Sequence, residues 1–165
     1  MKVIIFAIII AATLTFSATG QTKEILKNTL NNEDIIREII FKKILPEKAN
    51  IGYLRDFYLS VNDGKNPSNN LLKQFDEYQK KNQVRIKKVS ESFISRKDGD
   101  SVLNKLTKKQ GIIYSVSKLD WKNKDEVKVS AGSYIGNMGS DTCTYILKRK
   151  NGVWKIINAE GCVVS

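Results

Sequence analysis

From Ile112 to Ser165 the chain reads as four strands in a row, and this pattern limits its folding more than anything else in the sequence. "IIYSVSKLDW" ends at "KNKD", "EVKVSAGSYIG" at "NMGS", and "TCTYILKRK" at Asn151-Gly152, before "VWKIINAEGCVVS". Asn-Gly between two alternating runs is the strongest short hairpin signal. Four strands with short turns make an antiparallel meander, and one face of such a sheet must be covered.

The covering elements lie upstream. Asn32 can cap a helix with Glu33 and Asp34 in its first turn and Lys42 and Lys43 in its last, as the helix dipole prefers. Ile35, Ile36, Ile39, Ile40 and Ile44 form its apolar stripe, and Pro46 stops it. Residues 23–30 suggest an earlier helical turn. A second helix, capped by Ser68 or Asn69, places Leu71, Leu72, Phe75 and Tyr78 on one face. A strand is expected over 55–61, a loop at "NDGKNPSNN", a weak strand over 84–94, and a lysine-rich loop over 97–111 with a helical turn at Val102, Leu103 and Leu106. The fold class expected is α+β: N-terminal helices packed on a curved antiparallel sheet with a four-strand C-terminal meander.

Residues 1–20 read as a signal peptide. Lys2 precedes an apolar run from Val3 to Phe16, and Ala18 and Gly20 suit cleavage before Gln21. As a helix this run rises about 21 Å, short of the roughly 30 Å hydrocarbon core. Residues 21–165 then form a single α+β domain with no transmembrane segment after cleavage, secreted or periplasmic. In such an oxidising compartment Cys143 and Cys162, the only cysteines, point to a structural disulfide, with two packed thiols as the alternative. Counting outward from Asn151-Gly152 sets Cys143 opposite Glu160 and leaves Cys162 on the diagonal. Diagonal Cα atoms lie about 7–8 Å apart, too far for a relaxed bridge. Gly161 permits a bulge that draws Cys162 back, so the strand is expected to be irregular there.

The order "NPSNNLLKQF", "VSES", "GIIYSV", Trp121, "SAGSYIGNMGSDTCTYILKRKNGVWKI" and a closing "VVS" resembles a group of small exported bacterial proteins of unassigned function, across residues 53–165. Asn66 stands where that group carries an acidic residue before proline. A helix followed by a curved sheet also looks like the NTF2-like or cystatin-like superfolds, a likeness of fold that carries no activity.

Histidine, the usual proton carrier at neutral pH, is absent. Asp120 and Asp141 are the carboxylates near strand ends that could work with a buried tyrosine, as in NTF2-like isomerases; turn formation is the simpler role for both. "GSYIGNMGS" joins strand to strand and lacks the geometry of a phosphate loop, and "DGKNPSNN" lacks the carboxylates of a calcium loop. No cofactor and no metal site is expected. Trp121 and Trp154 sit at apolar strand positions that favour packing over a sugar platform.

Charge is the prominent compositional feature, with 28 basic against 17 acidic residues. Its densest run is "KKNQVRIKK", where Lys80, Lys81, Arg85, Lys87 and Lys88 are candidate anion ligands, for instance toward an anionic envelope component, against a solvated basic face as the simpler reading. Without interleaved aromatics the run does not suit single-stranded nucleic acid. The function expected is therefore a non-enzymatic binding module. The alternatives are an NTF2-like enzyme with a carboxylate–tyrosine site, and an envelope protein binding anionic surfaces through residues 80–110.

Overall fold

The computed structural model describes residues 32–47, 54, 56–137 and 139–165. The signal peptide and the helical turn at 23–30 lie outside these. Helix α1 runs over 32–44. It buries Ile36, Ile40, Phe41 and, just past its end, Leu45, with Ile39 and Ile44 at the margin. Ile35, placed in the stripe from the sequence, is 44% exposed, because the buried face is rotated toward Phe41.

The other elements are β1 (Asp56–Val61), α2 (Asn69–Lys73), α3 (Asp76–Asn82), β2 (Arg85–Lys88), β3 (Ser92–Ser95), β4 (Ser101–Asn104), β5 (Gly111–Val116), β6 (Asp120–Asn123), β7 (Glu126–Tyr134), β8 (Ser140–Lys150) and β9 (Val153–Val164). Seven strands form one sheet in the order β2-β1-β5-β7-β8-β9, with β6 also paired to β7; β3 and β4 form a separate two-stranded sheet.

The fold is α+β, but the sheet is mixed and not wholly antiparallel. β1 runs parallel to both β2 and β5. Parallel neighbours need long crossovers, and the chain has them: α2 and α3 link β1 to β2, and the β3–β4 pair lies between β2 and β5. Alternation along one strand reports its faces and says nothing of its neighbours' directions. From β5 onward every pairing is antiparallel, so the C-terminal meander is present. Its first strand is interrupted at 117–119 into β5 and β6, both of which pair with β7.

Two further local readings need correction. The helix at 69–82 is broken at Gln74 and Phe75, whose amides donate three residues back, to Leu71 and Leu72 at 3.2 and 3.1 Å, and so tighten the turn. Ser68 is the N-cap, its Oγ accepting from the Leu71 amide at 3.0 Å. The expected helical turn at Val102 and Leu103 is instead strand β4, buried along its whole length.

One face of the main sheet carries Phe57, Leu59 and Val61 from β1, Ile112, Tyr114 and Val116 from β5, and Val127 and Val129 from β7. These join the apolar residues of α1 and α2 in the core. Phe41 of α1 meets Phe75 edge-on with centroids 6.1 Å apart. Trp121 and Trp154 also meet edge-on, at 5.7 Å, and Trp154 is buried with Arg149 over its ring.

Asn151 and Gly152 both have positive φ, 53° and 77°, as a type I′ turn requires. The register holds from Lys150↔Val153 to Leu147↔Ile156, then shifts at Ile157, and shifts again where Thr142 faces Val163 and Thr144 faces Glu160. The second shift leaves Gly161 and Cys162 opposite Cys143, with Gly161 at φ 60°. Cys143 and Cys162 are disulfide-bonded, with Cα atoms 4.1 Å apart. Gly161 is the position the sequence marked for irregularity; the shift at Ile157 has no comparable signal. Both also interrupt the outer edge of β9, which blunts it against pairing with other chains. Replacing both cysteines by serine should cost about 3 kcal/mol, the chain-entropy value for a loop of this length. Urea denaturation checks this, and an unchanged midpoint would show that the bridge constrains nothing in the unfolded chain.

Candidate functional site

The second face of the sheet has two regions. One is sealed. Asp56, Tyr58, Arg85 and Lys87 all point to this face, because Asp56 pairs with Arg85 and Tyr58 with Lys87 in the parallel register. The Asp56 carboxylate is 1% exposed. It accepts from Arg85 Nε at 2.5 Å, and from Lys87 Nζ, the Tyr58 hydroxyl and Asn104 Nδ2, each at 3.4 Å. Asn104, on β4, also donates to the Tyr58 hydroxyl at 2.9 Å. Its Oδ1 accepts from the amides of Leu106 and Thr107, both at 2.9 Å. The β3–β4 pair is thereby fastened over the start of β1. Gly111 completes the fit: a Cβ there would strike the Asp56 carbonyl and the Tyr58 ring. Burial pushes the Tyr58 phenol up to about 12; the Asn104 hydrogen bond opposes this and the Asp56 charge adds to it.

The other region is open. Ser60 pairs with Ser115, Ser115 with Gly132, and Gly132 with Thr142, a row of small residues across four strands. Ser130 and Thr144 form the next row, their hydroxyls 3.1 Å apart, and Ser117 Oγ accepts from the Ser130 amide at 3.1 Å. Where Tyr58 fills this face the hairpin packs on it; where Ser, Gly and Thr take its place, with Val116 and Ala131 also in the lining, a hollow remains. The hollow has a volume of about 270 Å³, and Ser60, Ser115, Ser117, Ser130 and Thr142 supply its hydroxyls. Those of Ser60, Ser115 and Thr142 have no hydrogen-bond partner among the described residues. Gly132 is essential to the floor, because a Cβ there would run into the backbone of Asp141 and Thr142 on β8.

The rim is the turn after β1. Asn62, Asp63 and Gly64 all have positive φ, at 47°, 60° and 107°. Two successive non-glycine residues in the left-handed region are strained, and such strain persists only where neighbours hold it. Here they do. Val61 and Lys65 exchange backbone hydrogen bonds at 2.9 and 2.8 Å, and the Asn62 amide donates to Val116 at 2.9 Å. Arg37 of α1, 6% exposed, donates to Asn62 Oδ1 at 3.1 Å and to Glu33 at 2.7 Å. Asp63 and Gly64 are thus held at the mouth of the hollow.

Of the candidate anion ligands, Lys80 and Lys81 are exposed on α3 and Lys88 is half-buried on β2. Arg85 and Lys87 are the counter-ions of Asp56. The five therefore do not form one set of free cations. Asp120 is paired with Lys122 on an exposed strand, and Asp141 accepts from the Ser133 amide across β7 and β8; neither lines the hollow. Sequence reasoning did not single out Ser60, Asp63, Ser115 or Thr142. Their nearest signal is the run of Ser, Gly and Thr at alternate positions of β5, β7 and β8, but it shows as one surface only after the strands are ordered. Among the described residues, no cluster of three or more acidic, cysteine or histidine side chains is arranged to hold a metal ion.

Comparison with known proteins finds no matching family model, no similar curated protein and no matching solved structure.

Proposed function

We propose that this protein is an exported, non-enzymatic binding domain that takes a small polar ligand in the hydroxyl-lined hollow on the second face of its sheet. The observation that carries this reading is the row Ser60, Ser115, Gly132 and Thr142, whose three hydroxyls have no partner among the described residues, beside a strained turn that holds Asp63 at the rim. Such a surface offers donors and acceptors to a neutral polyol. The single rim carboxylate admits an ammonium group and repels an anion. The hollow also lies at the carboxyl ends of the parallel strands β1 and β5, where ligands gather in open α/β sheets, though this is analogy of architecture alone.

The enzymatic alternative is less well supported. A carboxylate–phenol pair does exist, in Asp56 and Tyr58, but both are buried, and the carboxylate is occupied by two cations and an amide. A general base needs a free lone pair within reach of substrate. Export is supported by the signal-like start of the sequence and by the disulfide. Among the described residues no helix is long and apolar enough to cross a membrane. Kinship with the small exported bacterial proteins that the C-terminal motifs resemble belongs to the same proposal.

Saturation-transfer NMR against small neutral polyols and alkylammonium compounds tests the site. Wild-type protein should show transfer to at least one member of the panel. Ser115→Phe, at an exposed position, should fill the hollow and abolish it. Asp63→Asn, which keeps a residue tolerant of the left-handed turn, should weaken only the cationic ligands. Silence across the panel, or transfer that survives in Ser115→Phe, would remove the hollow as the binding site.

A further inference from the structure

The loop after β4 sets an aliphatic side chain among lysines. Its base is fixed: the Asn104 amide donates to Lys109 at 2.9 Å, the Lys108 amide to Asn104 at 3.0 Å, and the Lys105 amide to Glu91 at 2.9 Å. Asn104 Oδ1 holds the amides of Leu106 and Thr107 from below. From this pinned loop Leu106 projects 91% exposed, the most exposed of the large apolar residues described. A single exposed leucine is ordinary on a protein surface. This one is flanked by Lys105, Lys108 and Lys109, none of which is in an ion pair among the described residues. The Lys108 ammonium lies 4.8 Å from the centroid of Phe93 and donates to the Lys105 carbonyl at 2.9 Å, which draws it back from the loop tip.

We propose that this loop docks the protein on an anionic lipid surface. Leu106 enters the boundary between headgroups and acyl chains, and Lys105 and Lys109 meet the phosphate-bearing headgroups, with Lys108 adding to the attraction from behind the tip. The leucine selects lipid over an anionic polymer: a polysaccharide or nucleic acid would draw on the lysines and gain nothing from an aliphatic tip, whereas a bilayer uses both. Lysine stems suit this boundary, as their methylenes lie along apolar material while the ammonium stays in water. Because Leu106 stands clear of the sheet on a loop tied down by backbone bonds, its insertion needs no rearrangement of the fold. The inference is independent of what the hollow binds.

Cosedimentation tests it, using protein recovered after export and phosphatidylcholine vesicles with and without phosphatidylglycerol, with heparin affinity measured in parallel. Wild-type protein should partition onto the anionic vesicles alone, and less at high salt. Leu106→Ser should weaken vesicle partitioning roughly tenfold while leaving heparin affinity unchanged. Lys105→Gln/Lys108→Gln/Lys109→Gln should weaken it roughly a hundredfold. Circular dichroism of Leu106→Ser verifies the fold, which an exposed position should not disturb. Wild-type protein that ignores anionic vesicles overturns the proposal. So does Leu106→Ser partitioning as wild type, which would leave a basic face that attracts polyanions without engaging lipid.

Discussion

Replacing Arg85 and Lys87 together by glutamine should cost the fold about 3–5 kcal/mol, the range found when a buried ion pair loses one side. The Arg85 side chain is 53% exposed and would by itself be judged a surface cation. Its partner decides otherwise. Asp56 is 1% exposed, and in the sheet interior its carboxylate is partnered by these two cations, by Tyr58 and by Asn104. Glutamine at both positions leaves that carboxylate with neutral donors only. Chemical denaturation of the double variant measures the loss. Adding Asp56→Asn should recover much of it, because the charge that needed compensation is then gone. A loss below about 1 kcal/mol, typical of exposed pairs, would show that the cluster is solvated in solution. The result also bears on any charge-neutralisation series across Lys80, Lys81, Arg85, Lys87 and Lys88. Weakened anion binding in that series would mix loss of ligand contacts with loss of fold.

Alkaline pH should unfold the protein steeply. Burial pushes the phenols of Tyr58 and Tyr78 from 10.0 to about 12. Tyr114 is raised further, by burial first and then by the charges of Tyr78 and Asp141, and Tyr145 is raised by burial and then by Asp141. A raised pKa means that the folded state keeps its proton after the unfolded chain has lost it. The stabilisation is complete below pH 10.0 and disappears as the pH rises through about 12. A shift of that size corresponds to at most about 2–3 kcal/mol for each phenol, less for Tyr78, which is only partly buried, so ionising the two removes a substantial share of the stability of a small domain. Circular dichroism should therefore be flat to pH 10.0 and then collapse together with the appearance of tyrosinate absorbance. Ionisation of these phenols near pH 10.0 with the native spectrum intact would show that they reach solvent.

The meander, the covering helices and the bulge at Gly161 were legible in the sequence because each rests on local physics. Asn151-Gly152 adopts the positive φ values a type I′ turn needs, whatever surrounds it. Ser68 caps its helix from three residues away. Counting around one hairpin sets Cys143 opposite Glu160 and Cys162 two residues too far out; in the structure Thr144 faces Glu160, and Gly161 supplies one of the two shifts that bring Cys162 to Cys143, the other being at Ile157. These interactions span few residues, and the residue types at hand suffice to specify them.

The directions of β2 and β5 beside β1, and both regions of the second face, had no such local source. In "DFYLSV" the polar residues Asp56, Tyr58 and Ser60 alternate as though facing water, yet every residue of the strand is buried. Asp56 and Tyr58 are tolerated inside because Arg85, Lys87 and Asn104, which are 29, 31 and 48 residues further along the chain than Asp56, converge on them. The hollow has the same kind of origin: Ser60, Ser115, Gly132 and Thr142 are unremarkable singly and form a floor only once four strands align them. Turn and cap preferences are energies of single residues and their near neighbours, readable in order along the chain. Pairing a buried charge and leaving a surface uncovered are sums over residues that meet only when the sheet closes.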